Sequence, residues 1–174
     1  MSYVEQKQVA QATFRCPDPY FKDFITIDGD LSVVHKLFEF PFEIEEPIPF
    51  SEFKIGERQI LINKGDVETG MLFKMYAERG TVINPVIYNL ESGEKFALNI
   101  TMQEGDEIDI STIYMKKAVT RIRDGEETNL IDNVSYDSTW LQLKPGGNTF
   151  LVNADVGVIN LDVYVDVNVL YQGV

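Results

Sequence analysis

The chain has 174 residues, with Lys+Arg 15 against Asp+Glu 28, a formal net charge of −13 and a pI of about 4.4. That balance leaves no electrostatic footprint for nucleic acid or an anionic membrane surface, so neither is an expected partner. The single cysteine, Cys16, rules out a disulfide within the chain, and no run reaches the roughly 18 apolar residues of a bilayer-spanning helix, so no membrane insertion is expected.

Phe 11, Tyr 8 and many Val and Ile favour strands over helices, which makes all-β the expected class. Residues 1–13 form a polar, Gln-rich arm with only Val4 and Val9 as apolar anchors and no secretory signal pattern, leading into a strand at about Ala10–Arg15. The following Cys16-Pro17-Asp18-Pro19 ends that strand, because two prolines remove two backbone donors. Asp28-Gly29-Asp30 reads as a tight turn, and Lys36–Phe42 as a short edge strand containing Pro41. Residues 43–50 combine three carboxylates with two prolines and mark a boundary. The expected organisation is an N-terminal arm, strands and linker over 1–50, then a β-sandwich domain over 51–174.

Beyond the boundary the rhythm becomes regular. Strands are predicted at about 58–63, 70–77, 82–90, 94–102, 106–110, 117–123, 139–143, 148–153 and 157–171, separated by turn signals such as Asp124-Gly125 and Pro145-Gly146-Gly147. Turns every 8–12 residues or so between alternating runs describe an antiparallel β-sandwich or jelly roll. Helix should account for under about a tenth of the residues. From Gly157 onward the odd positions Ile159, Leu161, Val163, Val165, Val167, Val169 and Tyr171 are apolar, a period of two that buries one face of a strand. At about 3.3 Å per residue this segment would span roughly 40 Å, so a bend or bulge is expected within it. The predicted core is Phe96, Leu98, Ile100, Ile108, Ile110, Leu141, Leu143, Leu161, Val163, Val165 and Val167, with Asp162, Tyr164 and Asp166 facing out.

Catalytic residues, metal ligands and cofactors are not expected. His35 is the only histidine, which limits any triad or zinc site to one imidazole, and an ordinary strand residue is the favoured reading. Cys16 lies beside no helix N-terminus and reads as an inert thiol. A glycosidase needs two acids about 5–10 Å apart, whereas Asp162 and Asp166, four residues apart on one strand face, are about 13 Å apart and read as a solvated face. Asp28/Asp30 and Asp106/Asp109 lack the ligand-dense loop of a calcium site.

Read in order, Cys-Pro-Asp-Pro-Tyr-Phe (16–21), Ile-Asn-Lys-Gly-Asp (62–66), Ile-Asn-Pro-Val-Ile-Tyr-Asn (83–89) and Ser-Gly-Glu (92–94) form a series. It continues with Gly-Asp-Glu-Ile-Asp-Ile-Ser-Thr (105–112), Lys-Lys-Ala-Val (116–119), Leu-Lys-Pro-Gly-Gly-Asn (143–148) and Tyr-Gln-Gly-Val (171–174). The series resembles the C-terminal half of the distal tail protein family of long-tailed (siphovirus-type) bacteriophages and prophages. The resemblance implies a galectin-like β-sandwich without enzymatic activity, a virion structural protein of the tail tip or baseplate, assembled in the host cytoplasm. It implies other tail and baseplate proteins as partners and a homo-oligomer in the assembled tail. The family's ring-closing domain precedes the Cys-Pro-Asp-Pro segment, so residues 1–50 are expected to be a remnant of the connection to it. The alternative function is a carbohydrate-binding module that aids adhesion to a host-surface glycan, since galectin-like folds often hold sugar on an aromatic platform. Trp140, Tyr136 and Tyr164 are the candidate sugar- or partner-binding residues, although Trp140, preceding Leu141 and Leu143, reads more readily as packing.

Overall fold

A computed structural model describes residues 10–13, 19–32, 34–36, 51–53 and 58–173. The strands are β1 (Tyr20–Asp30), β2 (Val34–Lys36), β3 (Ser51–Phe53), β4 (Gln59–Asn63), β5 (Thr69–Ala77), β6 (Val82–Asn89) and β7 (Glu94–Ala97). They continue with β8 (Thr101–Met102), β9 (Glu107–Ser111), β10 (Ala118–Arg123), β11 (Glu126–Asn129), β12 (Gln142–Leu143), β13 (Gly146–Val156) and β14 (Leu161–Gln172). The helical elements among the described residues are two 3-10 turns, Ile131–Asn133 and Val158–Asn160.

The strands form two antiparallel sheets and a small ribbon. The larger sheet has the order β1-β14-β5-β9-β10-β11, with β12 also paired to β5. The smaller runs β4-β13-β6-β7, with β8 on β6, and β2 pairs with β3 apart from both. Period-two burial explains the sandwich. On β5, Met71, Phe73, Met75 and Ala77 are buried and alternate with less buried residues. They meet Leu61, Ile87, Phe96, Phe150 and Val152 from the smaller sheet, with Phe73 and Phe150 edge-to-face at 6.4 Å. Ten of the eleven predicted core residues are buried, and the eleventh, Ile100, is half-buried and packs against the cluster.

Several elements differ from expectation for local reasons. Asp28-Gly29-Asp30 is no turn: it continues β1, where Gly29 pairs with Val165 and an added Cβ would lie 2.7 Å from the Leu61 side chain. The chain turns a little later, where Asp30 Oδ1 accepts from the Ser32 N–H. The long C-terminal segment is broken at Gly157, whose φ of 78° is left-handed, so Val158–Asn160 form a 3-10 turn and β14 begins at Leu161. Ile159 therefore falls off the buried face and is exposed. The run 94–102 divides into β7 and β8, and in the stretch between them Leu98 forms an isolated antiparallel bridge with Val134. Of the run 139–143 only β12 pairs. Strand β11 was not expected, because Glu126-Glu127-Thr128-Asn129 offers no apolar alternation; it forms because Asp124 (φ 52) and Gly125 (φ 80) make a two-residue hairpin turn. Residues 10–13 lie in no strand, while 14–18 and 37–50, which hold the rest of the strands expected at Ala10–Arg15 and Lys36–Phe42 and the boundary, lie outside the described residues.

Candidate functional site

The outward face of the larger sheet collects most of the polar chemistry. Cross-strand register aligns it in rows: Asp28, Asp166, Leu72, Ser111 and Ala118 run from β1 to β10. The next row is Asp30, Tyr164, Lys74, Asp109, Thr120 and Asn129, and the third is Asp162, Tyr76, Glu107, Ile122 and Glu127. These positions face away from the core because their strand neighbours fill it.

Lys74 sits at the centre. Its ammonium lies 2.9 Å from Glu107 and 3.4 Å from Asp109, and the Tyr76 hydroxyl donates to the same Glu107 oxygen at 3.0 Å. The Lys74 hydrogen bond holds the Glu107 carboxyl below the usual range despite partial burial, and the Lys74 pKa is raised in return. Asp109 Oδ1 is sealed from solvent without a hydrogen bond, so the 3.4 Å ion pair is its electrostatic compensation. Tyr76 and Tyr164 meet edge-to-face at 5.9 Å. Burial, then the negative charges of Asp30, Asp162 and Glu78, push the Tyr164 phenol up.

Toward β1, Asp166 faces Asp28 directly across the ladder. Burial and the shared hydrogen bond with Asp28 raise the Asp166 pKa. Two touching carboxyls do not meet the separation of about 5–10 Å that glycoside hydrolysis needs. Asp162, expected in solvent, is buried at 3% exposure. Arg79 folds over it, donating from Nη1 to Asp162 Oδ2 at 3.3 Å, from Nη2 to Oδ1, and from Nε to the Ile159 carbonyl at 2.9 Å. Among the described residues no group of three or more His, Cys, Asp or Glu could hold a metal ion.

Two hollows open on this face. One, of about 300 Å3, is lined by Lys117, Ala118, Thr120, Glu127, Asn129 and Ile131. The other, of about 200 Å3, lies over Leu72, Lys74, Asp109, Ser111 and Asp166 and also touches Ala118 and Thr120.

The three candidate residues do not converge. Tyr164 lies on β14 against Tyr76. Trp140 is half-buried before β12, tilted against Phe96 at 5.1 Å with the Lys117 ammonium 5.4 Å from its ring centre. Tyr136 is fully exposed in the loop after the first 3-10 turn, a loop anchored by the Ser135 N–H to the Ala97 carbonyl and by the Lys95–Asp137 ion pair at 2.5 Å. Of the residues lining the hollows, Asp109 and Asp166 were weighed in the sequence and read as solvated or non-ligating, while Glu127 and Asn129 were missed because β11 has no strand pattern.

Comparison with known proteins points one way. The profile of the siphovirus-type tail component, C-terminal domain, matches residues 64–164. The crystal structure of phage SPP1 Dit (gp 19.1), described as a paradigm of the hub adsorption apparatus in phages infecting Gram-positive hosts, is similar with a TM-score of 0.60 at 11% identity. The match covers 90% of this chain and 51% of that one, so the chain spans about half the length of its structural relative. A chain of the phage P2 baseplate, in its activated conformation with Ca, gives a TM-score of 0.46 at 10% identity over 82% of this chain and 52% of that one. No curated protein matches in sequence.

Proposed function

The chain belongs to the siphovirus-type tail component family, and from that premise we propose that it is a non-enzymatic structural component of a phage or prophage tail tip, providing a peripheral β-sandwich on which other tail proteins dock. The observation that carries this reading is the family match over 64–164, which takes in the chain from just before β5 into β14. The described surface supports it. Its three most exposed large apolar side chains, Tyr114, Met115 and Tyr136, each more than four-fifths exposed, stand on loops. Met115 adopts a left-handed φ of 59°, a conformation costly for a non-glycine residue and one that presents its side chain at a loop tip. Side chains of this kind anchor protein interfaces.

In this reading the protein is present in several copies in the virion tail tip, is assembled in the host cytoplasm, and uses Tyr136 and its neighbouring loop for partner contact. Residues 1–50 join the sandwich, residues 51–174, to the rest of the assembly. Antibody raised against the chain should label the tail tip in electron micrographs of the virions that encode it. The purified chain should retain tail proteins from the same particle, and Tyr136→Ala should weaken that retention. Label on the capsid, or no retention of any tail protein, would overturn the assignment. Adhesion to a host glycan is the second reading, favoured by the paired hollows rather than by the three aromatic candidates.

A further inference from the structure

Strand β4 lies at an edge of the smaller sheet and pairs with β13 alone. Leu61 and Asn63 point into the molecule, whereas Ile60 and Ile62 point out at 65% and 57% exposure. Their neighbours across the ladder, Thr149 and Gly147, are too small to cover them. The direction of the backbone groups follows from β13. The Thr149 carbonyl accepts from the Leu90 N–H on the β6 side, so Asn148 and Phe150, on either side of it, turn their N–H and C=O groups toward Leu61 and Gln59 of β4. Ile60 and Ile62 therefore aim their own N–H and C=O groups away from the sheet, where they have no hydrogen-bond partner among the described residues.

An open edge of this kind is a template for a further strand, and the other principal edges of the two sheets are blunted against that. The edge of β7 is covered by the loop over 135–139: the Ser135 and Thr139 N–H groups donate to the Ala97 and Lys95 carbonyls, and Ser138 Oγ accepts from the Ala97 N–H at 2.9 Å. Strand β11 carries Glu126 and Glu127. Strand β1 carries Lys22 and Asp23 where its register with β14 is broken. Gln59-Ile60-Leu61-Ile62-Asn63 has no charge, no proline and an unbroken register.

We propose that β4 is a self-association surface, which pairs antiparallel with β4 of a second copy of this chain about a two-fold axis at Leu61. The register selects that occupant. Centred on Leu61, the pairing sets Ile60 of each copy opposite Ile62 of the other, and these are the residues whose backbone groups point outward, so four interchain hydrogen bonds form together. The four isoleucine side chains then lie on one face as two β-branched cross-strand pairs. A foreign strand would need the same uncharged alternation to match this edge, and a second β4 has it by identity. The contact is isologous and closes on itself, so it makes dimers and not fibres. Each copy carries a net charge of −13, and no charged residue lies in β4, so screening by salt strengthens the pairing. A five-residue ladder is about 17 Å long and buries less than a permanent dimer needs, which places the dissociation constant on the order of 0.1 mM.

The inference goes beyond the docking role and stands on a different surface from Tyr136. The test is sedimentation of the full-length chain from about 10 µM to about 1 mM. The weight-average mass should climb from 19.8 kDa toward twice that value, and further in about 0.5 M than in about 0.05 M NaCl. Ile60→Lys combined with Ile62→Lys, at exposed positions that leave the circular dichroism unchanged, should weaken self-association more than about tenfold, and so should Ile60→Glu combined with Ile62→Glu. An equimolar mixture of those two variants should recover a dimer, because the register sets lysine opposite glutamate at both pairs. Hydrogen exchange at the Ile60 and Ile62 amides should slow as the wild-type concentration rises, and Tyr136→Ala should change none of this. A single-chain mass across the whole range, undiminished association of either charged variant, a mixture that stays monomeric, or Ile60 and Ile62 amides equally protected at every concentration would overturn the proposal, whatever the tail-protein retention shows.

Discussion

Asp106 and Arg123 provide the sharpest test of how the fold is held. The turn before β9 drives the Asp106 side chain inward to 1% exposure. There it accepts from Arg123 Nε and Nη2, each at 2.5 Å, and from the Gln103 N–H at 2.8 Å. Burial pushes this carboxyl up, but the Arg123 hydrogen bonds and the Gln103 N–H outweigh it and hold the group below the usual range. Arg123→Ala leaves a buried carboxylate with one backbone donor, a defect that costs about 3–5 kcal/mol when a pair is fully buried. Because the Arg123 side chain is 33% exposed, water reaches that side, and we expect about 2–4 kcal/mol. For a chain of this size that corresponds to a fall in Tm of roughly 4–16 °C. Asp106→Asn keeps an acceptor for Gln103 and frees Arg123 to solvent, so it should cost less, about 1–2 kcal/mol. Urea unfolding followed by circular dichroism at 218 nm or so, where sheet absorbs, gives both values. Since the folded-state pKa is depressed, this stabilisation is complete above the unfolded carboxyl's range near pH 4 and is lost as pH falls through the lower folded value. The gap between wild type and Arg123→Ala must therefore close in acid. An Arg123→Ala cost under about 0.5 kcal/mol, a larger cost for Asp106→Asn, or a gap that widens in acid would refute the reasoning.

Asp166→Asn should stabilise the protein at neutral pH by about 0.2–1 kcal/mol, because it removes like charges directly opposed across the β1–β14 ladder. Here the folded-state pKa is raised, so the wild type loses stability as pH climbs from the unfolded carboxyl range through the folded value, and the variant's advantage should vanish in acid; calorimetry at several pH values checks the sign. Phe150→Ala, removing a fully buried ring packed edge-to-face on Phe73, should cost about 3–5 kcal/mol in the same urea assay.

The β class, the two-sheet core and the turn at Asp124-Gly125 were legible because alternation and turn chemistry are local signals, whereas Gly146-Gly147, expected in a turn, opens β13 and pairs with Asn63 and Ile62 of β4. Leu161, Val163, Val165 and Val167 occupy the buried face that their spacing indicates. The losses occurred where a local signal had two solutions. Asp28-Gly29-Asp30 has turn composition, yet Gly29 is there because Leu61 and Val165 leave no room for a Cβ. Asp162 follows the polar alternation of β14, and only a residue 83 positions away, Arg79, makes its burial tolerable. Tyr136, Trp140 and Tyr164 share a composition suited to sugar but not a place in the fold, since their positions depend on a loop, a core edge and a sheet face respectively.

The polar face and the core are two readings of one register. Phe73, Ile110 and Val119 point inward at full burial, and the residues beside them on β5, β9 and β10, namely Leu72, Ser111 and Ala118, face outward in one row. Because side chains alternate at every step, a one-residue slip of β10 against β9 would bring Val119 out and Ala118 in, and both the core and the floor of the two hollows would be lost together. The burial energy of Val119 and Ile110 thus specifies where Ala118 and Ser111 lie, to within the width of a strand. A surface hollow built on loops would have no such guarantee. Here the hydrophobic effect sets the geometry of a polar face that it does not itself touch, and selection on that face is free to change its chemistry, residue by residue, without disturbing the sandwich beneath.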